Sequence, residues 1–156
     1  MLPGLSGYEV PGPVPYENSA HTNLLANNFK HACIVCHMGP IQDGIASGGH
    51  TFRVISEEGE INTASCLECH PVAADVLALV DDRQAQIEAK LAELEALLVA
   101  RGKYNPANGQ NTKGDYTANE AGALYNFKFV EEDLSRGVHN FKYAYALLSN
   151  SIASLQ

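Results

Sequence analysis

The sequence predicts a mostly α fold: an irregular N-terminal half, then a long helix and two shorter helices. Three observations carry this. Apolar residues recur at alternating three- and four-residue steps through residues 72–101. Helix start and stop signals frame two further segments, near residues 117–137 and 141–151. No comparable period runs through residues 1–71, where Pro and Gly interrupt the chain.

Residues 1–18 hold Pro3, Gly4, Gly7, Pro11, Gly12, Pro13 and Pro15. Proline has no backbone donor and glycine resists helix, so this stretch is expected to be an extended arm. It is either a disordered tail or an arm that lies on a neighbouring subunit. Residues 19–71 are broken by Gly39, Pro40, Gly44, Gly48, Gly49 and Gly59, with a short strand at Thr51 to Ile55 as the one regular candidate. In residues 72–101, Leu77, Val80, Ile87, Leu91, Leu94 and Leu98 fall on one stripe, with Gln84 the polar interruption. Pro71 and Gly102 bracket the segment. Such a helix spans about 45 Å at 1.5 Å per residue, and its stripe suits either a core-facing helix or a coiled-coil seam. Residues 102–116 read as a polar loop. Thr117 and Glu120 then have capping-box spacing at the head of a helix that stops near Gly137, and a last helix covers about 141–151.

The length of 156 residues fits one domain after the arm, at 19–156, divided into an attachment region (19–71) and a helical region (72–156). The apolar share of 46% is enough to bury a core. A formal charge of −8 argues against nucleic-acid binding and favours basic patches on a partner. No stretch approaches the length of a transmembrane helix. The start of the chain lacks the basic head and apolar run of a signal peptide.

The chemistry lies in the four cysteines. Cys33 and Cys36 are followed by His37, and Cys66 and Cys69 by His70. Each segment reads C-x-x-C-H, the signature of c-type haem attachment. Two thiols at this spacing reach the two vinyl groups of one porphyrin, and the next residue presents an imidazole to the iron as proximal ligand. Two disulfides, a zinc site and a redox dithiol are the competing readings. None of them requires a histidine after the second cysteine. The expectation is therefore two haem c per chain. Covalent haem is attached outside the cytoplasm, so a periplasmic, cell-surface or extracellular location follows. Either a leader has been removed or the chain is part of a longer protein.

Each iron needs a sixth ligand or keeps an open site. Met1 is terminal, and Met38 adjoins proximal His37, so it cannot reach the opposite face of that haem. Histidine on both faces is the natural inference, with His21, His31, His50 and His139 as candidates. Gly137 permits a turn that aims His139 inward, and Gly48 and Gly49 let backbone approach a porphyrin beside His50. His31 lies two residues before Cys33, too near to swing across that haem, though it could serve another.

Four blocks in order now line up: an upstream histidine before Cys-Ile-Val-Cys-His-Met, then Gly-Gly-His-Thr-Phe, Cys-Leu-Glu-Cys-His, and a long helical region ending in Ser-Arg-Gly-Val-His-Asn. Over about residues 19–151 this resembles the C-terminal two-haem portion of pentahaem cytochrome c nitrite reductase and related multihaem electron-transfer cytochromes. The resemblance implies that His139 serves the haem of Cys33, Cys36 and His37. It implies that His21, or His31 as second choice, serves the haem of Cys66, Cys69 and His70. It assigns His50 to a haem held further upstream, which this sequence lacks. The chain has no C-x-x-C-K motif, whose lysine ligates the catalytic haem of those reductases, and no counterpart of their calcium site.

The expectation is thus an electron carrier with two low-spin bis-histidine haems and no catalytic residues, not an enzyme. Its partners would be redox proteins. The alternative is an electron-relay module of a larger nitrite-reductase-like oxidoreductase. The spare His50 and the arm also raise a homopolymer, an extracellular wire or filament in which His50 or His21 is donated between chains. Against it stands a monomer in which His50 is an internal ligand.

Overall fold

The computed structural model describes residues 1–26, 32–42 and 44–156. Its helices are α1 (Asn23–Ala26), α2 (Ala32–His37), α3 (Ala73–Ala100), α4 (Ala118–Glu132) and α5 (Phe141–Leu155), with 3₁₀ turns at Ala20–Thr22 and Gly49–Thr51. Among the described residues, strand is confined to a small hairpin, β1 (Tyr104–Asn105) against β2 (Gln110–Asn111), and to one isolated bridge, Ile55 to Ile61. The mostly α class holds, with 48% of the chain helical. The chain divides into two compact units: one built from Met1–Thr22 and Arg83–Gln156, the other from Asn23–Asp82.

The first unit has a continuous apolar core. Ile87, Leu91, Leu94 and Leu98 of α3 meet Leu124, Phe127 and Val130 of α4 and Tyr143, Leu147, Leu148 and Ile152 of α5. These four α3 residues are the C-terminal part of the stripe read from sequence, and they face this core rather than a coiled-coil seam. Each fully buried Leu or Ile contributes roughly 1.5–3 kcal/mol. The Thr117–Glu120 capping box forms: Glu120 N donates to Thr117 Oγ1 at 3.2 Å, and Thr117 N donates to Glu120 Oε2 at 2.9 Å. Helix α5 is capped by Asn140 and runs from Phe141 to Leu155, about one turn beyond the expected end. The polar loop at 102–116 contains the hairpin, because Tyr104 turns inward and packs edge-on against Phe127, centroids 5.2 Å apart.

Residues 1–18 lack helix, as their composition predicts, but they lie on their own chain. Three fully buried asparagines hold them. Asn126 accepts from Tyr8 N and donates to Tyr8 O, both at 2.8 Å. Asn150 accepts from Val14 N at 2.9 Å and donates to Val14 O at 2.8 Å. Asn140 accepts from Ser19 N at 2.9 Å and donates to Asn18 Oδ1 at 2.8 Å. A carboxamide carries an N–H donor and a C=O acceptor side by side, so at Tyr8 and Val14 it pairs with an extended backbone as a neighbouring strand would. Val10 of the arm is 1% exposed, so the arm also adds to the apolar packing.

The second unit is organised differently. Its buried residues are mainly polar: Ser47, Ser56, Asn62 and Thr63, with Val76 the single buried large apolar side chain among its described residues. Asn62 ties the unit together by donating to Pro40 O at 2.9 Å and Ser47 O at 3.0 Å. The strand expected at Thr51 to Ile55 does not form. Gly49–Thr51 is a 3₁₀ turn, Phe52 takes a left-handed backbone (φ 57°), and only Ile55 bridges to Ile61. The Gly48–Gly49 pair serves the protein's own backbone. Gly48 has φ 97°, and a Cβ there would sit 2.8 Å from Gly39 O and 2.7 Å from Asn62 Nδ2. In the N-terminal turns of α3 the stripe departs from expectation: Val76 is buried, whereas Leu77 is exposed.

Candidate haem-attachment site

The first C-x-x-C-H motif lies on α2. Cys33 and Cys36, three residues apart, share one face of the turn, and both are exposed. His37 ends the helix. Its ring stacks on Phe52, centroids 4.7 Å apart and planes 14° apart, and its Nδ1 lies 3.1 Å from Phe52 O. A carbonyl oxygen can only accept, so Nδ1 carries the proton and the lone pair sits on Nε2. The left-handed backbone at Phe52 is what brings both its ring and its carbonyl to the imidazole.

The second motif forms a hydrogen-bonded turn, in which His70 N donates to Cys66 O at 2.8 Å and Cys66 N to Thr63 O at 2.8 Å. All four cysteines are free thiols. Cys36 opens to solvent on one side, but protein packed on the other raises its pKa, and the nearby sulfurs of Cys66, Cys33 and Cys69 raise it further. Burial likewise raises the Cys66 thiol. A redox dithiol depends on a lowered thiol pKa, so these shifts run against that reading. Among the described residues no group of three or more His, Cys, Asp or Glu side chains is placed to share one metal ion.

Large apolar side chains are exposed in and near both motifs: Ile34, Met38, Ile41, Phe52, Leu67 and Val72, as are Ile55, Leu77 and Leu79. This unit buries mainly polar groups, while many of its large apolar side chains and three of its four thiols are exposed. That donor set fits a large flat apolar group bound through two thioethers and one imidazole per motif.

The other unit presents two of the predicted distal histidines. His21 Nδ1 lies 2.7 Å from Val138 O, which again leaves the lone pair on Nε2. His139 Nδ1 lies 2.9 Å from Asp133 Oδ1. Both contacts involve the loop between α4 and α5, so one loop fixes two imidazoles. The loop is strained: Leu134 and Arg136 have φ of 59° and 49°, each costing roughly 1–2 kcal/mol in a non-glycine residue. Gly137, expected as a turn, has φ 97°. Several contacts hold the strained path: Gln84 Nε2 donates to Ser135 O at 3.2 Å and Arg136 Nη1 to Glu131 O at 2.8 Å. Asp133 was not legible as a site residue. Burial opposes its charge, but hydrogen bonds from His139 and Ser135 outweigh that and hold its carboxyl below the usual range.

His50 sits in the 3₁₀ turn and is exposed. His31 lies outside the described residues. No helix among the described residues is long and apolar enough to cross a membrane. Comparison of the chain with protein-family models, curated proteins and solved structures finds no match.

Proposed function

We propose that this protein is an electron carrier with two covalently attached c-type haems, each ligated by histidine on both faces. Cys33 and Cys36 would anchor one haem and Cys66 and Cys69 the other, with His37 and His70 as proximal ligands and His21 and His139 as distal ligands. The observation that carries the reading is the exposure of large apolar side chains in and near the two C-x-x-C-H motifs, in a unit whose described buried residues are mainly polar. The haems supply the one-electron chemistry, and their iron potentials depend on axial ligands and surroundings. The chain's own part is to fix ligand orientation. Hydrogen bonds at Nδ1 of His21, His37 and His139 hold the tautomer that offers Nε2 to iron. Two imidazoles per iron leave no coordination position for substrate, which favours carriage over catalysis. Covalent attachment assigns the protein to an extracytoplasmic compartment, and its negative charge suits a basic redox partner.

Intact mass is the test. The purified protein should exceed its polypeptide by two haems, and the oxidised form should show only low-spin iron by EPR. A mass excess of one haem or none overturns the reading. Assembly into a wire is a second reading, favoured by the exposure of His50. It predicts that His50→Ala abolishes polymers seen by electron microscopy; a wild-type protein that stays monomeric at all concentrations removes it.

A further inference from the structure

We propose that Asp133 is a positioning residue that makes His139 a stronger-donating iron ligand, and so lowers the potential of the haem that His139 would ligate. This rests on the reading of His139 as an iron ligand.

The geometry sets His139 apart. His21 and His37 each direct Nδ1 to a backbone carbonyl, at Val138 and Phe52. His139 directs Nδ1 to a carboxylate that is 12% exposed. That carboxylate sits at the C-terminal cap of α4 and also accepts from the Ser135 hydroxyl. Ser135 Oγ in turn accepts from the backbone N of His139 at 3.3 Å. The residue is therefore held at two points, through its ring and its main chain, by one Asp–Ser pair. The left-handed turn at Leu134 and Arg136 is what folds the chain back far enough for Asp133 to reach a ring six residues on.

A charged acceptor makes a stronger hydrogen bond than a carbonyl. As the Nδ1 proton is drawn towards Asp133, electron density on Nε2 rises and the imidazole becomes a better donor. A better donor stabilises ferric over ferrous iron. The carboxylate's negative charge, in a region of low dielectric, opposes the arriving electron in the same sense. Both effects would lower the potential of the haem that His139 ligates.

Asp133→Asn in the haem-loaded full chain is the direct test, because it keeps the shape and removes the charge. Spectroelectrochemical titration should show one midpoint potential rising while the other stays. The expected shift in electron partition between the haems is at least tenfold, about 59 mV for one electron. EPR should still show two low-spin haems, with the g values of one signal moved. Asp133→Glu should recover most of the wild-type value. If Asp133→Asn fails to fold, Ser135→Ala, which loosens the carboxylate without removing it, should raise the same potential by a smaller amount. Unchanged potentials and g values in whichever variant folds overturn the proposal. His139→Ala separates the two readings. If it yields high-spin iron while Asp133→Asn moves nothing, only the role of Asp133 fails. If it leaves both haems low-spin, the ligand assignment itself is wrong.

Discussion

Replacing Asn150 with alanine should release the middle of the N-terminal arm. The carboxamide is fully buried and makes two hydrogen bonds to one residue, 2.9 Å from Val14 N and 2.8 Å to Val14 O. Alanine leaves that N–H and that C=O without partners in a partly buried place. Each orphaned backbone group costs about 1–2 kcal/mol in such a setting, for a total of about 2–4 kcal/mol. For a chain of this size that corresponds to a fall in Tm of roughly 5–15 °C. Asn150→Asp is the sharper version. It keeps the acceptor for Val14 N, loses the donor to Val14 O and places a charge in a dry site, so it should destabilise more than alanine. Ser149→Ala is the control on the same helix. The Ser149 hydroxyl is buried with no hydrogen-bond partner among the described residues, so its removal should be neutral or stabilising. Guanidinium unfolding of the haem-loaded protein, followed by far-UV circular dichroism, measures all three. An Asn150→Ala variant within about 1 kcal/mol of wild type, and level with Ser149→Ala, would refute the arm as a clamped element.

Gly137→Ala should cost about 1–3 kcal/mol in unfolding free energy, because φ is 97° and the new Cβ would meet Ile87 Cγ1 at 3.0 Å; an unchanged thermal melt would contradict the strained turn. His139→Ala should generate high-spin iron by resonance Raman or EPR at one haem. Glu120 should contribute to acid sensitivity. A hydrogen bond from Thr117 N, then the Thr117 hydroxyl and Lys103, lower its pKa despite partial burial. A lowered folded pKa gives stability that is present above the ordinary carboxylate value of about 4.3 and lost as pH falls through the folded value. Glu120→Gln should therefore flatten the stability profile below about pH 4.5, and a variant with the wild-type acid limb would show that the capping carboxylate carries no such linkage.

The helical half of the fold was legible because its signals are local. Apolar spacing marked α3, Thr117 and Glu120 marked the start of α4, and Gly137 marked the turn before α5. The stripe misled at Leu77, which is exposed, and Val80 is only half-buried; both lie in the other unit, where burial follows Val76 and polar residues instead of an apolar core. The arm was legible as extended but not as docked. Its partners are asparagines inside helices, and in a periodicity count a buried Asn126 or Asn150 looks like a solvent-facing one. Three asparagines on otherwise apolar helix faces were the available signal. In the candidate site, the C-x-x-C-H motifs stood out in the sequence because the chemistry fixes their spacing. The support of His37 by Phe52 and of His139 by Asp133 did not, since both depend on left-handed residues that no composition rule singles out.

The asparagine clasp ties residues near one end of the chain to residues 118–136 positions later. A ribosome delivers the arm first and its three anchors last. Between the two events the segment with both C-x-x-C-H motifs is already made, while the unit formed from residues 1–22 and 83–156 cannot yet close. On the proposed reading, a haem-ligating enzyme outside the cytoplasm would meet those cysteines on a chain that emerges in the same order, with its lock still open. Closure of the arm then becomes the last step of maturation, the one that brings His21 against Val138 and completes the ligand set.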